Sequence, residues 1–226
     1  MILKEHYNLL YNSTIEKFKN NDYSVDSLIN SPKDNRFGIT LLIRPSAAVK
    51  SKIQEFLSEL KVLEPEQYFY PSSDIHITVM SIISCYDGFT LSQINPKEYQ
   101  SVIKQSLHKK NKFNISFKGI TASTSCVMLQ GFFNDDTLDT IRNSLRLNFK
   151  NSTLEQSLDK RYAIQTAHST IFRIQKPLQD KIAFINLLNT YKDFDFGTFT
   201  VDSLELVYND WYQKAEKVQK LYTFPL

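Results

Sequence analysis

Leu3, Tyr7, Leu10, Thr14 and Phe18 recur at helical spacing, and Asn20, Asn21 and Asp22 end the pattern. This spacing predicts an N-terminal helix within residues 1–20 that packs on the main body. Residues 22–35 are polar and hold Ser31, Pro32 and Asn35, the signature of a loop. The pattern then alternates between two periods. Residues 36–44 are rich in β-branched and aliphatic side chains and stop at Pro45, so they predict a strand. Val49, Ile53, Phe56, Leu57 and Leu60 share one helical face behind Ser46, a suitable N-cap. An apolar run over 75–84 predicts a strand. Pro96 to His108 predicts a helix, with Pro near its start and Lys109 and Lys110 at its end. Phe113, Ile115 and Phe117 alternate with Asn114, Ser116 and Lys118, as in a half-buried strand.

The same order then recurs. Strand, helix, strand, helix and strand are predicted over 125–133, 135–149, 166–174, 178–191 and 197–208, and a last strand over 218–226. The repeat is one of pattern, with little residue identity between the halves. It predicts an α+β (α/β) chain: a bilobed duplicated fold of two mostly antiparallel sheets, flanked by helices, with a central groove. Residues 1–35 form an extension. Residues 36–226 form one domain with halves at about 36–120 and 125–226, exchange of strands between the lobes being left open. Two similar lobes place a site between them.

Composition narrows the chemistry. The 226 residues include 42% hydrophobic and 13% aromatic side chains, enough for a sizeable core. Five scattered glycines exclude a Gly-rich phosphate cradle, so side chains must hold any phosphate. Cys85 and Cys126 make neither a disulfide framework nor a four-thiolate zinc site. They point to a reducing compartment. The N-terminus has no signal-peptide h-region and no window is long and apolar enough for a membrane span, so a cytoplasmic protein is expected. The net charge of +3 tolerates a small anionic ligand without marking a nucleic-acid coat.

The four histidines separate into two kinds. His6 and His108 read as solvated surface residues. His76 and His168 each begin a His-x-Thr triplet inside a predicted strand: His76, Ile77, Thr78 and His168, Ser169, Thr170. Side chains two apart on a strand share a face, so each imidazole is paired with a hydroxyl, away from the apolar side. Both triplets lie in the second strand of their half, about one repeating unit apart. Two imidazoles can divide the removal and delivery of protons at a phosphodiester, and two hydroxyls can donate to its non-bridging oxygens.

These triplets, with the apolar flanks of Asp74-Ile75-His76-Ile77-Thr78-Val79, resemble the 2H phosphoesterase superfamily. That superfamily includes the bacterial 2'-5' RNA ligase-like proteins and the cyclic phosphodiesterases. The terminal segments Val201–Tyr208 and Lys220–Leu226 resemble its last pair of strands. The second triplet departs from the usual pattern in its less apolar neighbours, Ala167 and Ser169. The resemblance spans roughly residues 36–226. It implies phosphodiester chemistry on a nucleotide or RNA end carrying a 2',3'-cyclic phosphate or a 2'-5' linkage. His76 and His168 are then the general acid and base, and Thr78 and Thr170 bind phosphate. No metal or other cofactor is called for, and a monomer is expected. Hydrolysis is expected over ligation, since water is abundant and no energy-coupling motif is present.

Softer candidates surround this core. Phe172, two past Thr170, and Tyr70 are candidate stacking residues, with core packing as the competing role. Tyr68 is a further candidate for the groove wall. Met80, at the matching place in the first motif, reads as packing. Arg36, Arg44, Arg161 and Arg173 are candidate phosphate clamps, although a regular strand turns Arg173 away from His168. Three rival readings stand beside the enzyme: a catalytically silent nucleotide- or RNA-binding module in the same groove, a metal site built on Asp74 and His76, and a purely structural protein. The enzyme reading requires both imidazoles to face one groove.

Overall fold

A computed structural model describes residues 3–160 and 163–226. Helix α1 (Leu3–Lys19) buries Tyr7, Tyr11, Thr14, Ile15 and Phe18. Strand β1 (Arg36–Ile43) is followed by α2 (Ala47–Leu63). The Ser46 hydroxyl caps α2 by accepting the Val49 N–H at 3.4 Å, and the predicted apolar stripe is its buried face. A two-residue strand β2 (Tyr68–Phe69) precedes β3 (Ile77–Asp87). After a short 3-10 turn come α3 (Pro96–Ser106), β4 (Phe113–Ser123), β5 (Cys126–Phe133) and α4 (Thr137–Lys150). The chain closes with β6 (Ser169–Arg173), α5 (Lys181–Tyr191), β7 (Asp195–Val201), β8 (Ser203–Asp210) and β9 (Gln219–Pro225).

The strands form two antiparallel sheets, ordered β3-β1-β8-β9 and β2-β6-β5-β4-β7. Each sheet takes strands from both halves of the chain. Helices α1, α2 and α5 lie against the five-stranded sheet, and α3 and α4 against the four-stranded one. The apolar face of each sheet and the apolar stripe of each helix close over one core, the arrangement that removes most apolar surface from water.

Three sequence expectations change here. The strand expected over 197–208 is two strands in different sheets, broken at the exposed Asp202. Phe199 and Val201, then Leu204 and Leu206, are buried at period two, and the phase slips by one residue between Val201 and Leu204, where the chain changes sheet. Helix α5 begins at Lys181, where the Asp180 side chain accepts the Ala183 N–H at 2.9 Å, three residues later than its apolar pattern. His76 and His168 stand immediately before β3 and β6, not inside them.

Candidate active site

The two triplets reach one place. A groove of about 280 Å³ opens between the sheets, and His76, Thr78, His168 and Thr170 all line it. Strand β3 is the edge of its sheet, and β6 is covered at the edge of its own only by the two residues of β2. Both motif strands thus lie at or beside a sheet edge, and residues of both line the groove.

The local geometry repeats. Burial over Ile77–Ser81 runs buried, half-buried, buried, buried, half-buried, and Ser169–Arg173 shows the same sequence of classes. Two consecutive buried residues break simple alternation. The cause is a bulge in each strand: pairing with β1 slips between Leu41 and Leu42, opposite Val79, and pairing with β5 slips between Val127 and Met128, opposite Ile171. The extra residue turns the next two side chains over. Phe172 therefore points into the core, fully buried against Phe69 and Phe184, and is not a stacking residue. Met80, its counterpart, is buried at 1% exposure, although it also borders the groove. Arg173 turns toward the groove, contrary to the regular-strand expectation.

Arg173 is held there from three sides. Its Nε donates to the Tyr70 hydroxyl at 3.0 Å, its Nη1 pairs with Asp26 at 3.3 Å, and its guanidinium lies 5.2 Å from the Tyr212 ring. Tyr70 borders the groove but is itself 1% exposed, so it offers a wall that orients Arg173 and not a free stacking face. Tyr68 lies at a separate shallow depression with Lys214 over its ring. The other candidate clamps are engaged elsewhere. Arg36 pairs with Asp34 at 2.7 Å and packs on Trp211, and Arg44 bonds Glu205 and the Ser73 carbonyl. Arg161 lies outside the described residues. His6 and His108 are exposed.

Both rings are tethered through Nδ1. His76 Nδ1 is 2.7 Å from the Asp74 carbonyl, which can only accept, so Nδ1 carries the proton and Nε2 keeps its lone pair. His168 Nδ1 is 2.6 Å from the Thr166 hydroxyl. His76 is pushed down to about 4, first by burial, against the opposing pull of the Asp74 carbonyl, and further by the charges of Arg44, His168 and Arg173. His168 is likewise pushed down to about 4 by burial, then by Arg142 and His6. Each ring is half-buried where it lines the groove, and with both pushed down to about 4 the resting pair is neutral at pH 7.

Arg142 is a part of this architecture that the sequence reading missed. It is fully buried on α4. Its Nε donates to the Val79 carbonyl at 3.1 Å, and its Nη2 to the carbonyls of Thr78 at 3.2 Å and Thr166 at 2.8 Å. Successive carbonyls on a regular strand point to opposite edges; both Thr78 and Val79 reach Arg142 because of the bulge. One guanidinium thus ties the first motif to the approach to the second. Its signal in the sequence is an arginine on the same stripe as Leu138, Leu145 and Phe149.

Other lining residues come from segments without a motif. Thr40, Ser81, Asn209, Trp211 and Gln213 line the side formed by the four-stranded sheet, and Ser157, Asp159 and Lys160 approach from the loop after α4. That loop is fixed to β3, since the Ser157 N–H donates to the Ile82 carbonyl and the Ser157 hydroxyl accepts the Ser84 N–H. Asp159 is neutralised by Arg146 at 2.5 Å. Trp211, the chain's single tryptophan, has Arg36 over its ring at 4.5 Å. The Asp74 carboxylate is engaged by the Ser73 hydroxyl at 2.7 Å and the Ala215 N–H at 3.1 Å, an arrangement unlike a metal ligand shared with His76. Among the described residues, no three His, Cys, Asp or Glu side chains converge on a point that could hold a metal ion. No described helix is long and apolar enough to cross a membrane.

Known proteins share this fold. The structure of TT0787 from Thermus thermophilus superposes with a TM-score of 0.62 at 12% identity, covering 84% of this chain and 97% of that one. E. coli LigT complexed with 3'-AMP gives 0.57 at 11% identity, covering 84% and 98%. Kluyveromyces marxianus Usb1 with uridine monophosphate gives 0.50 at 12% identity, covering 85% and 99%. At these identities the likeness is one of fold. No curated protein sequence matches. The family model described as the AKAP7 2'5' RNA ligase-like domain matches residues 46–222. By that match the chain belongs to the AKAP7 2'5' RNA ligase-like family, within the 2H phosphoesterase superfamily.

Proposed function

We propose that the protein is a 2H phosphodiesterase that opens 2',3'-cyclic phosphates or cleaves 2'-5' phosphodiester linkages in nucleotides or RNA ends. The observation that carries this reading is the convergence of His76, Thr78, His168 and Thr170 on one groove, on two strands with the same bulge. Family membership supports it, and so do the nucleotides held by two proteins of the same fold, LigT with 3'-AMP and Usb1 with uridine monophosphate.

The chemistry follows from the tethers. In hydrolysis, one neutral imidazole takes a proton from water as the water oxygen bonds to phosphorus. The other, as imidazolium, gives a proton to the ribose oxygen as its bond to phosphorus breaks. An anionic phosphate between the rings offsets the burial and charge repulsion that keep them neutral, so the acid forms when substrate binds. Thr78 and Thr170 donate to the non-bridging oxygens, where negative charge grows, and Arg173 adds a fixed positive charge. Both proton transfers are served by side chains of this chain. Because the two steps are mirror images, the rings exchange roles in the reverse, joining reaction.

The test is an assay in EDTA on 2',3'-cyclic mononucleotides and 2'-5'-linked dinucleotides. Turnover of either class is the expected result. Saturable binding of both without turnover would replace this reading with a silent nucleotide-binding module.

A further inference from the structure

Residues 22–35 lie outside the span matched by the family model and carry no motif, yet one carboxylate among them reaches the groove wall. Asp26 opens a turn. Its Oδ1 accepts the Leu28 N–H at 3.2 Å, as a short acidic side chain does where a polar segment bends. Its own N–H donates to the Ile174 carbonyl at 2.7 Å, and the Ser24 N–H donates to the Thr124 carbonyl at 2.8 Å. These main-chain bonds lay the segment against the end of β6, immediately beyond Arg173.

The Asp26 side chain has two further partners. Oδ2 accepts from Arg173 Nη1 at 3.3 Å, and Oδ1 accepts from the buried Tyr212 hydroxyl at 2.7 Å. The Tyr212 hydroxyl in turn accepts from Arg36 Nη2 at 3.4 Å, and Asp34 holds Arg36 with bonds of 2.7 and 2.8 Å. A continuous chain of bonds thus runs through Asp34, Arg36, Tyr212, Asp26, Arg173 and Tyr70. Both of its carboxylates come from the N-terminal extension.

A guanidinium carries five N–H donors in a rigid fork. On Arg173, Tyr70 takes Nε and Asp26 takes Nη1, while Nη2 makes no hydrogen bond among the described residues. The side chain is 16% exposed and borders the groove, so the fork is pinned on one side with its other end left for an anion. Asp26 has two opposed effects on that anion. It removes the freedom of a long side chain and supplies the counter-charge that a mostly buried guanidinium requires. It also cancels part of the positive charge that attracts the anion. The first effect is the larger. A phosphate oxygen can bond Nη2 only where that nitrogen is held in place. The Asp26 charge is meanwhile drawn off by the Tyr212 hydroxyl and the Leu28 N–H.

We infer that Asp26 of the N-terminal extension is a positioning residue for phosphate binding: through its bond to Nη1 it holds the Arg173 fork in the groove. The inference rests on the reading of the groove as a phosphate site, and phosphate binding can be measured without turnover.

The experiment titrates inorganic phosphate into the full chain with 15N-labelled histidine, binding being followed by NMR at the imidazole resonances. The variant is Asp26→Asn. It keeps an amide oxygen for Tyr212 and Leu28 and sets an N–H group against Nη1, so it breaks the Arg173 bond alone. Phosphate binding about tenfold weaker than in the parent is expected. On a turned-over substrate, KM should rise by a similar factor, with a smaller change in kcat. In an Arg173→Met background, Asp26→Asn should change neither, because there is no fork left to position. Parental or tighter phosphate binding in Asp26→Asn would overturn the inference, since the carboxylate would then act only as a counter-charge. An equal loss in the Arg173→Met background, or a parent that does not bind phosphate saturably, would also overturn it. The expected loss of phosphate binding in a protein that turns over no substrate upholds the role of Asp26 and overturns the catalytic reading instead.

Discussion

The carbonyl oxygens of Thr78 and Thr166, from opposite halves of the chain, share one donor, Nη2 of the buried Arg142, at 3.2 and 2.8 Å. Helix α4, a third element, therefore ties the first motif strand to the approach to the second. Replacing Arg142 by Met keeps the apolar stem and strands the carbonyls of Thr78, Val79 and Thr166. Each stranded acceptor costs about 1–3 kcal/mol, partly offset by relief of burying the charge. A net loss of about 2–4 kcal/mol in denaturant unfolding is expected. Arg142→Lys keeps a charge, but its single nitrogen cannot occupy both the Nε and the Nη2 positions, so it should fall between the parent and Arg142→Met.

In the proposed mechanism Thr78 and Thr170 donate to the non-bridging phosphate oxygens. Removing one such donor typically lowers kcat by about 10²–10³. Thr78→Val and Thr170→Val are expected to lose activity on that scale while unfolding like the parent protein. Thr→Ser at either position keeps the hydroxyl and should retain most of it. Steady-state kinetics beside thermal unfolding separates the two effects. Equal losses in the Val and Ser variants would remove the hydroxyls from the mechanism.

Protonation of the site has a defined sign. Both imidazoles sit at about 4 in the folded chain against 6.5 in the unfolded one. Between those values the unfolded chain binds protons that the folded chain excludes, so stability falls as pH drops from about 6.5 to 4. The double variant His76→Asn, His168→Asn should flatten that slope in unfolding measured at pH 7, 6, 5 and 4. Bound phosphate favours the imidazolium, so the alkaline limb of kcat should lie at higher pH than that of kcat/KM.

At the groove wall Trp211 replaces Phe172, the ring that strand alternation places there. Trp211 borders the groove with Arg36 over its ring, whereas Phe172 is fully buried. Trp211→Ala should raise KM, base stacking being worth about 1–3 kcal/mol, with little change in kcat. Phe172→Leu should act through stability, lowering the unfolding midpoint and leaving KM near the parental value.

The reason for that replacement marks how far the sequence could be read. Alternation and helical spacing expose most of the elements, and the His-x-Thr triplets expose the chemistry, because each is a local pattern. The bulges at Val79 and Ile171 are not local: they arise where β3 and β6 meet β1 and β5. They turn Arg173 into the groove and Phe172 out of it. Arg142 is hidden for a related reason. A lone arginine on an apolar helical stripe reads as an imperfection until the carbonyls it serves, far away in the chain, are in place. Trp211 and Gln213 follow the end of β8, and only the fold brings them to the groove. The break at Asp202 shows in the sequence only as a one-residue slip of the alternation, between Val201 and Leu204.

The central claim is that the two imidazoles act in one step on one phosphate. The direct measurement is kcat for His76→Ala, His168→Ala and the double variant, in EDTA, on whichever cyclic or 2'-5'-linked nucleotide the parent turns over. Residues that work as a unit are strongly non-additive. Each single variant should lose nearly all activity, and the double variant should be no worse than either. A single variant with parental kcat, or losses that multiply in the double variant, would contradict the account.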